Sequence, residues 1–191
     1  MKDSELIQGL NKLYEHLREE KMELWKRDLP FDELMFDRWE RAKFLGFGEK
    51  TSMYHNSYVF GDVKVGGNTW IGPFTVLDGS GGIMIGDFCS ISSGVHIYSH
   101  NTVKWAVSLG KMPYEYLPVT IGDGCFIGPQ SIIAAGVNIG KQSIVAANCY
   151  VNSNIPEFSI VAGNPASIIG KVEVDKKGAV SFSYFKKSDE K

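Results

Sequence analysis

Residues 121–151 read IGDGCF IGPQSI IAAGVN IGKQSI VAANCY V, where the spaces mark a repeat of six. An aliphatic residue opens each hexad at Ile121, Ile127, Ile133, Ile139, Val145 and Val151. The same period runs earlier through Val59, Val65, Ile71 and Leu77, with Met53 a looser first member. It slips by two residues in Gly79–Gly82 and resumes at Ile85, Ile91 and Ile97. Gly follows the aliphatic at Gly66, Gly72, Gly86, Gly122, Gly128 and Gly140. Small or β-branched residues stand four places after it, as at Thr69, Thr75, Cys89, Val95, Cys125, Ser131, Val137, Ser143 and Cys149.

A period of six fits neither a helix face nor an alternating strand. It requires a short flat side followed by a corner. Three such sides close a triangular coil of about 18 residues, and coils stacked about 4.8 Å apart satisfy each other's backbone hydrogen bonds. The aliphatic residues then fill the prism. The Gly after each is expected at a corner, where a close backbone approach or a positive φ excludes side chains. All three cysteines occupy the small position and read as packed, inert thiols.

Working outward, Leu6, Leu10, Leu13 and Leu17 mark a helix with one apolar stripe, ended by Leu29-Pro30. A second helix is expected over Phe31 to Leu45, presenting Leu34, Met35, Trp39 and Ala42, with Gly46 and Gly48 as its exit. An open solenoid end exposes interior and strand edges, so this helical unit, residues 1–48, reads as a cap. The β-helix spans residues 49–172. Residues 173–191 read as two short strands around a turn at Asp175 to Gly178, then a charged, frayed tail from Lys186.

The chain has 191 residues with 20 Lys and Arg against 22 Asp and Glu, so its near-balanced charge offers no field for a nucleic acid backbone. The start MKDSELIQGL is no secretory signal, and no run of eighteen apolar residues predicts a membrane span. With three scattered cysteines and no CxxC pair, the reading is a cytoplasmic protein with reduced thiols.

These hexads, with the closing VAGNPASIIGK at 161–171, resemble the left-handed β-helix, or hexapeptide-repeat, acyltransferases. The pattern is most similar to the acetyl-CoA-dependent sugar and polysaccharide O-acetyltransferases. The resemblance implies an all-β solenoid, a left-handed parallel β-helix with an N-terminal helical cap and a short C-terminal hairpin. It also implies acetyl-CoA as cosubstrate, no metal, a saccharide or small-molecule acceptor, and a homotrimer with active sites between neighbouring prisms.

The repeat is interrupted between Ile97 and Ile121 by YSHNTVKWAVSLGKMPYEYLPVT, read as an ejected loop over residues 98–120. Loops of this length in compact domains are usually functional or disordered. In the resembling transferases such a loop carries a catalytic histidine near its start, which His100 matches. An acceptor hydroxyl must lose its proton as it attacks the thioester, and a neutral imidazole within about 3 Å takes it. His96, the rival, falls at the last position of its hexad and reads as a wall residue pointing outward. By position in the family, Glu115 is the carboxylate that orients the base.

For coenzyme A the resemblance points to backbone and side-chain groups at Gly128, Ala146 and Ala147, then Asn152, Ser153 and Ser167, with Lys171 toward the nucleotide phosphates. Asp78 and Trp105 are candidates for binding the acceptor, and Trp70 is a further aromatic beside such a cleft. Two departures stand out. Pro129 offers no N–H where the sugar enzymes often place one near the thioester carbonyl. Pro73 replaces the acceptor-binding Asn of the galactoside enzymes.

Three alternatives stay open. One is N-acetylation of a nucleotide-linked amino sugar. Another is a zinc enzyme resembling the γ-class carbonic anhydrases, which His16, His55, His96 and His100 fit poorly in spacing. The third is a non-catalytic trimeric β-helix scaffold.

Overall fold

In the computed structural model, which describes residues 3–185, the hexads build the three walls of a parallel β-helix. The first wall stacks Ser52–Met53, Trp70–Ile71, Ser90–Ile91, Phe126–Ile127, Ile144–Val145 and Ser159–Ala162 in parallel register. The second aligns Val59, Leu77, Ile97, Ile133 and Val151. The third aligns Val65, Ile85, Ile121 and Ile139, and a bridge adds Ile155. Every repeat aliphatic lies in the buried interior except Val59, which is half-buried against it.

The small position four places on has a second use. Thr51 Oγ1, Thr69 Oγ1, Cys89 Sγ, Cys125 Sγ and Ser143 Oγ each donate to a carbonyl of the adjacent coil, at Gly66, Gly86, Gly122, Gly140 and Pro156. A small donor at one corner therefore satisfies a carbonyl that the short walls leave without a strand partner.

The Gly that follows each aliphatic is required by contact alone. A Cβ on Gly140 would lie 2.3 Å from the Glu157 backbone N, and one on Gly128 2.6 Å from the Ala146 carbonyl carbon. The expected positive φ falls elsewhere, two places later, at Asn68, Phe74, Phe88, Gln130, Gln142 and Asn148. Closeness and handed backbone are thus supplied by different residues of the corner.

The two-residue slip at Gly79–Gly82 shows as a register shift opposite Gly61 and Val63, within strands Tyr58–Val65 and Val76–Ile85 that run through the corner between second and third walls. It brings Ile83 inside, paired with Val119 from the next coil.

The N-terminal helices are α1 (Asp3–Trp25), α2 (Phe31–Met35) and α3 (Arg38–Phe44). The single helix expected over Phe31 to Leu45 is broken at Phe36, whose backbone is extended, and Asp37 then caps α3 by accepting from the N–H groups of Trp39 and Glu40. α2 and α3 close the first coil chemically as well as sterically. Glu33 accepts from the N–H groups of His55 and Asn56, while Arg41 donates to the carbonyls of Tyr54 and Ser57. Arg41→Ala strands two carbonyls and is expected to cost about 1–3 kcal/mol in urea unfolding; an unchanged midpoint would show that water replaces the guanidinium.

At the other end, Ser167–Val174 and Val180–Tyr184 extend the first wall as an antiparallel hairpin. Its turn is held by Asp175 Oδ1, which accepts from Lys177 and Ala179. The tail from Lys186 lies outside the described residues.

Candidate functional site

The chain leaves the second wall after Tyr98 and returns to the third at Val119, so the ejected loop runs from Ser99 to Pro118 and contains α4 (Val103–Val107). Its stems form a small antiparallel ladder that pairs His100 with Tyr116 and Asn101 with Glu115. Register places the slipped corner directly beneath, because Val76, Leu77 and Asp78 pair with His96, Ile97 and Tyr98.

His100 Nδ1 is buried and lies 3.0 Å from Asp78 Oδ2. The carboxylate stands off the line of the ring N–H, so the pair is in contact without a closed hydrogen bond. Catalytic hydrogen bonds are often misaligned like this until substrate binds. Asp78 is 8% exposed, and its Oδ1 accepts the Ser80 hydroxyl at 2.6 Å and the Ser80 N–H at 3.1 Å. Burial opposes ionisation of Asp78, but the two Ser80 hydrogen bonds and the adjacent imidazole outweigh it and hold its pKa below the ordinary carboxylate value.

A carboxyl that ionises more readily folded than unfolded stabilises the fold above about pH 4, and that contribution is lost as pH falls through its lowered pKa. The stability gap between wild type and Asp78→Asn is therefore expected to be widest near neutral pH and to shrink on acidification. Urea midpoints across pH measure it, and a gap that grows in acid would contradict the assignment.

Glu115 does not meet His100: its carboxylate is held by Lys104 Nζ at 2.6 Å, and the carboxylate facing the imidazole is Asp78. The ladder explains why, since Glu115 pairs with Asn101 and the residue opposite His100 is Tyr116. His96 stays on the outer wall of the second side, its Nδ1 3.2 Å from the Tyr98 hydroxyl. Trp105 sits on α4, edge-on to Tyr114 with ring centroids 5.3 Å apart. Trp70 lies on the first wall, edge-on to Tyr54.

The corner following the second wall stacks Asp78, the loop origin at Ser99, Ala134 to Gly136, and Asn152 with Ser153 in successive coils. Asn152 and Ser153 are exposed, two coils and hence about 10 Å above the loop origin. Gly128, Ala146 and Ala147 come together at the corner on the opposite edge of that wall, where Gly128 N–H donates to the Val145 carbonyl. Pro129 follows there. Ser167 and Lys171 lie exposed on the closing hairpin strand, paired with Ala162 and Ser159. Among the described residues no three His, Cys, Asp or Glu side chains gather to hold a metal ion, and no helix is long and apolar enough to cross a membrane.

Residues 118–153 match the family described as the hexapeptide repeat of succinyl-transferase. The chain is 41% identical over 93 residues to protein CapG of Staphylococcus aureus, an alignment covering 48% of this chain and 54% of CapG. It is 34% identical over 103 residues to serine acetyltransferase 2 of Arabidopsis thaliana, covering 54% of this chain and 31% of that one. It thus spans about half the length of the first relative and under a third of the second. Among solved structures, a variant of AntD, an N-acyltransferase from Bacillus cereus in complex with dTDP and coenzyme A, superposes with a TM-score of 0.59 at 23% identity, over 69% of this chain and 88% of that one. A hexapeptide-repeat-containing acetyltransferase from Vibrio cholerae O1 biovar eltor, complexed with acetyl coenzyme A, gives 0.56 at 24% identity over 88% and 90%. At these identities the likeness is one of fold.

Proposed function

We propose that this chain, whose residues 118–153 match the hexapeptide repeat of succinyl-transferase, moves an acetyl group from acetyl-CoA to a hydroxyl of a sugar or polysaccharide precursor, with His100 as general base. The observation that carries the reading is the 3.0 Å approach of buried Asp78 to His100 Nδ1 at the mouth of the ejected loop. A proton held at Nδ1 by a carboxylate leaves Nε2 with its lone pair. Nε2 takes the acceptor's hydroxyl proton as that oxygen bonds to the thioester carbon. The C–S bond then breaks, and the imidazolium returns its proton to the coenzyme A thiolate. The products are the acetyl ester and free coenzyme A.

The pantetheine arm is assigned to the edge that rises from His100 to Asn152 and Ser153. Gly128, Ala146 and Ala147 stand on the opposite edge of the same wall, so they serve a site only if a neighbouring copy presents them. The outer surface of the second wall favours such a neighbour: Tyr58, Ile132 and Tyr150 are exposed there, whereas the third wall carries Lys64, Thr120 and Asn138 beside one exposed apolar residue, Met84. The assembly this reading requires is a homotrimer with sites between prisms, and sedimentation equilibrium tests it. Exposed Trp105 and Tyr114 on the loop offer an aromatic surface for a sugar ring.

The deciding experiment is thiol release from acetyl-CoA against sugars, oligosaccharides and nucleotide amino sugars. Release with hydroxyl acceptors supports the proposal. Release confined to a nucleotide amino sugar would replace it with N-acetylation, an acyl transfer to nitrogen of the general kind for which AntD, an N-acyltransferase, is named. No coenzyme A binding and no turnover would favour a scaffold.

A further inference from the structure

We propose that the two extra residues of the slipped corner, Ser80 and Gly81, form a positioning device for the candidate base, with Ser80 the residue that aims Asp78 at His100. The inference rests on the reading of His100 as base. A regular prism gains no packing from two added corner residues, and three features show what these ones do.

First, the lone pairs of Asp78 are divided. Oδ1 is taken by the hydroxyl and N–H of Ser80, which leaves Oδ2 facing the imidazole. This is a side-chain turn from a residue to the N–H two places on, and it closes here within the slipped corner. Second, one buried hydroxyl rivets the slip to the loop. Ser99 Oγ donates to the Asp78 carbonyl at 2.6 Å and accepts from Gly81 N–H at 2.7 Å, and Ser99 N–H donates to the same carbonyl. Ser99 is fully buried and immediately precedes His100, so the backbones that carry the acid and the base are joined through a single side chain. Third, Gly81 passes beneath both loop stems. A Cβ there would lie 2.2 Å from the Ser99 carbonyl oxygen and 2.9 Å from the Leu117 N.

The carboxylate is therefore fixed on one oxygen while the other remains in contact with a buried Nδ1 that has no other partner. Without the Ser80 hydroxyl, Asp78 Oδ1 keeps only the longer bond from the Ser80 N–H and the carboxyl group turns away more easily, and small misplacements of a positioning group are costly in rate.

The test compares Ser80→Ala and Ser80→Thr in the full chain. Ser80→Ala is expected to lower kcat about 10-fold, the lower end for groups that orient a catalytic ligand, with KM for acetyl-CoA unchanged. A carboxylate that has turned away stabilises an imidazolium less, so the acid limb of the pH–rate profile should move to lower pH. Ser80→Thr keeps the hydroxyl and should restore both. Nitrogen-15 spectra of the unliganded protein give a readout independent of turnover: Nδ1–H should dominate at His100 in wild type and Ser80→Thr, and the tautomers should mix in Ser80→Ala. A Ser80→Ala protein with wild-type kcat, pH profile and tautomer ratio overturns the inference. A fully active His100→Ala enzyme alongside a shifted tautomer ratio in Ser80→Ala overturns the base reading and leaves the clamp on His100 standing.

Discussion

Replacing His100 by Ala is expected to lower kcat by about 10²- to 10⁴-fold, the range for losing a positioned general base, with Kd for acetyl-CoA unchanged. The split follows from geometry. The proposed coenzyme A track climbs the prism edge toward Asn152 and Ser153, away from the imidazole, so removal of the ring touches the proton transfer and little of the binding surface. Truncation also leaves Asp78 held through Oδ1 by Ser80, so the loss is one of chemistry. His96→Ala is the control, since that ring faces outward and meets Tyr98. Single-turnover kinetics with equilibrium binding separates the effects. Loss of binding in step with rate would move His100 into the coenzyme A site, and full turnover would end the proposal.

The walls are legible because each rests on a local rule. An aliphatic at every sixth place has one way to be buried, and the rule holds from Met53 to Val161 with corrections only at the slips. Ile83 stands six places after Leu77 but two before Ile85, where the shifted phase resumes, and Val119 likewise stands two places before Ile121, so each is an interior residue beyond the resumed hexads. The break between α2 and α3 did leave a signal, Asp37 followed three places later by Glu40, the pattern of a capped helix start. The site was half visible. His100 follows from its place at the head of the loop, but its carboxylate partner comes from a coil twenty-two residues away in sequence and one coil away in space. Counting the register from Leu77 to Ile97 would have set Asp78 under the loop origin. No such count distinguishes Oδ1 from Oδ2, and the division of that carboxylate by Ser80 needed coordinates.

Ile133→Ala is expected to lose about 4–5 kcal/mol of unfolding free energy, the upper end of large-to-small core substitutions. Such losses are smaller where the surroundings collapse into the cavity, and here they are held apart. Ile133 is fully buried on the second wall, between Ile97 below and Val151 above. Those neighbours are tied to its strand by ladder bonds, with His96 N–H donating to the Ser131 carbonyl and Ile132 N–H to Cys149. Coil spacing is set by these bonds, so the walls cannot sink inward to fill the gap without breaking them. Because each coil rests on its neighbours, a defect in the fourth coil also weakens the coupling between the capped end and the hairpin end. Urea unfolding should show a lower midpoint with either an unchanged slope, if the solenoid still melts as one unit, or a shallower one, if the two ends now melt separately. A loss below about 1.5 kcal/mol would mean that the prism repacks like an ordinary volume-tolerant core, and that hydrogen-bonded coil spacing does not hold its interior open.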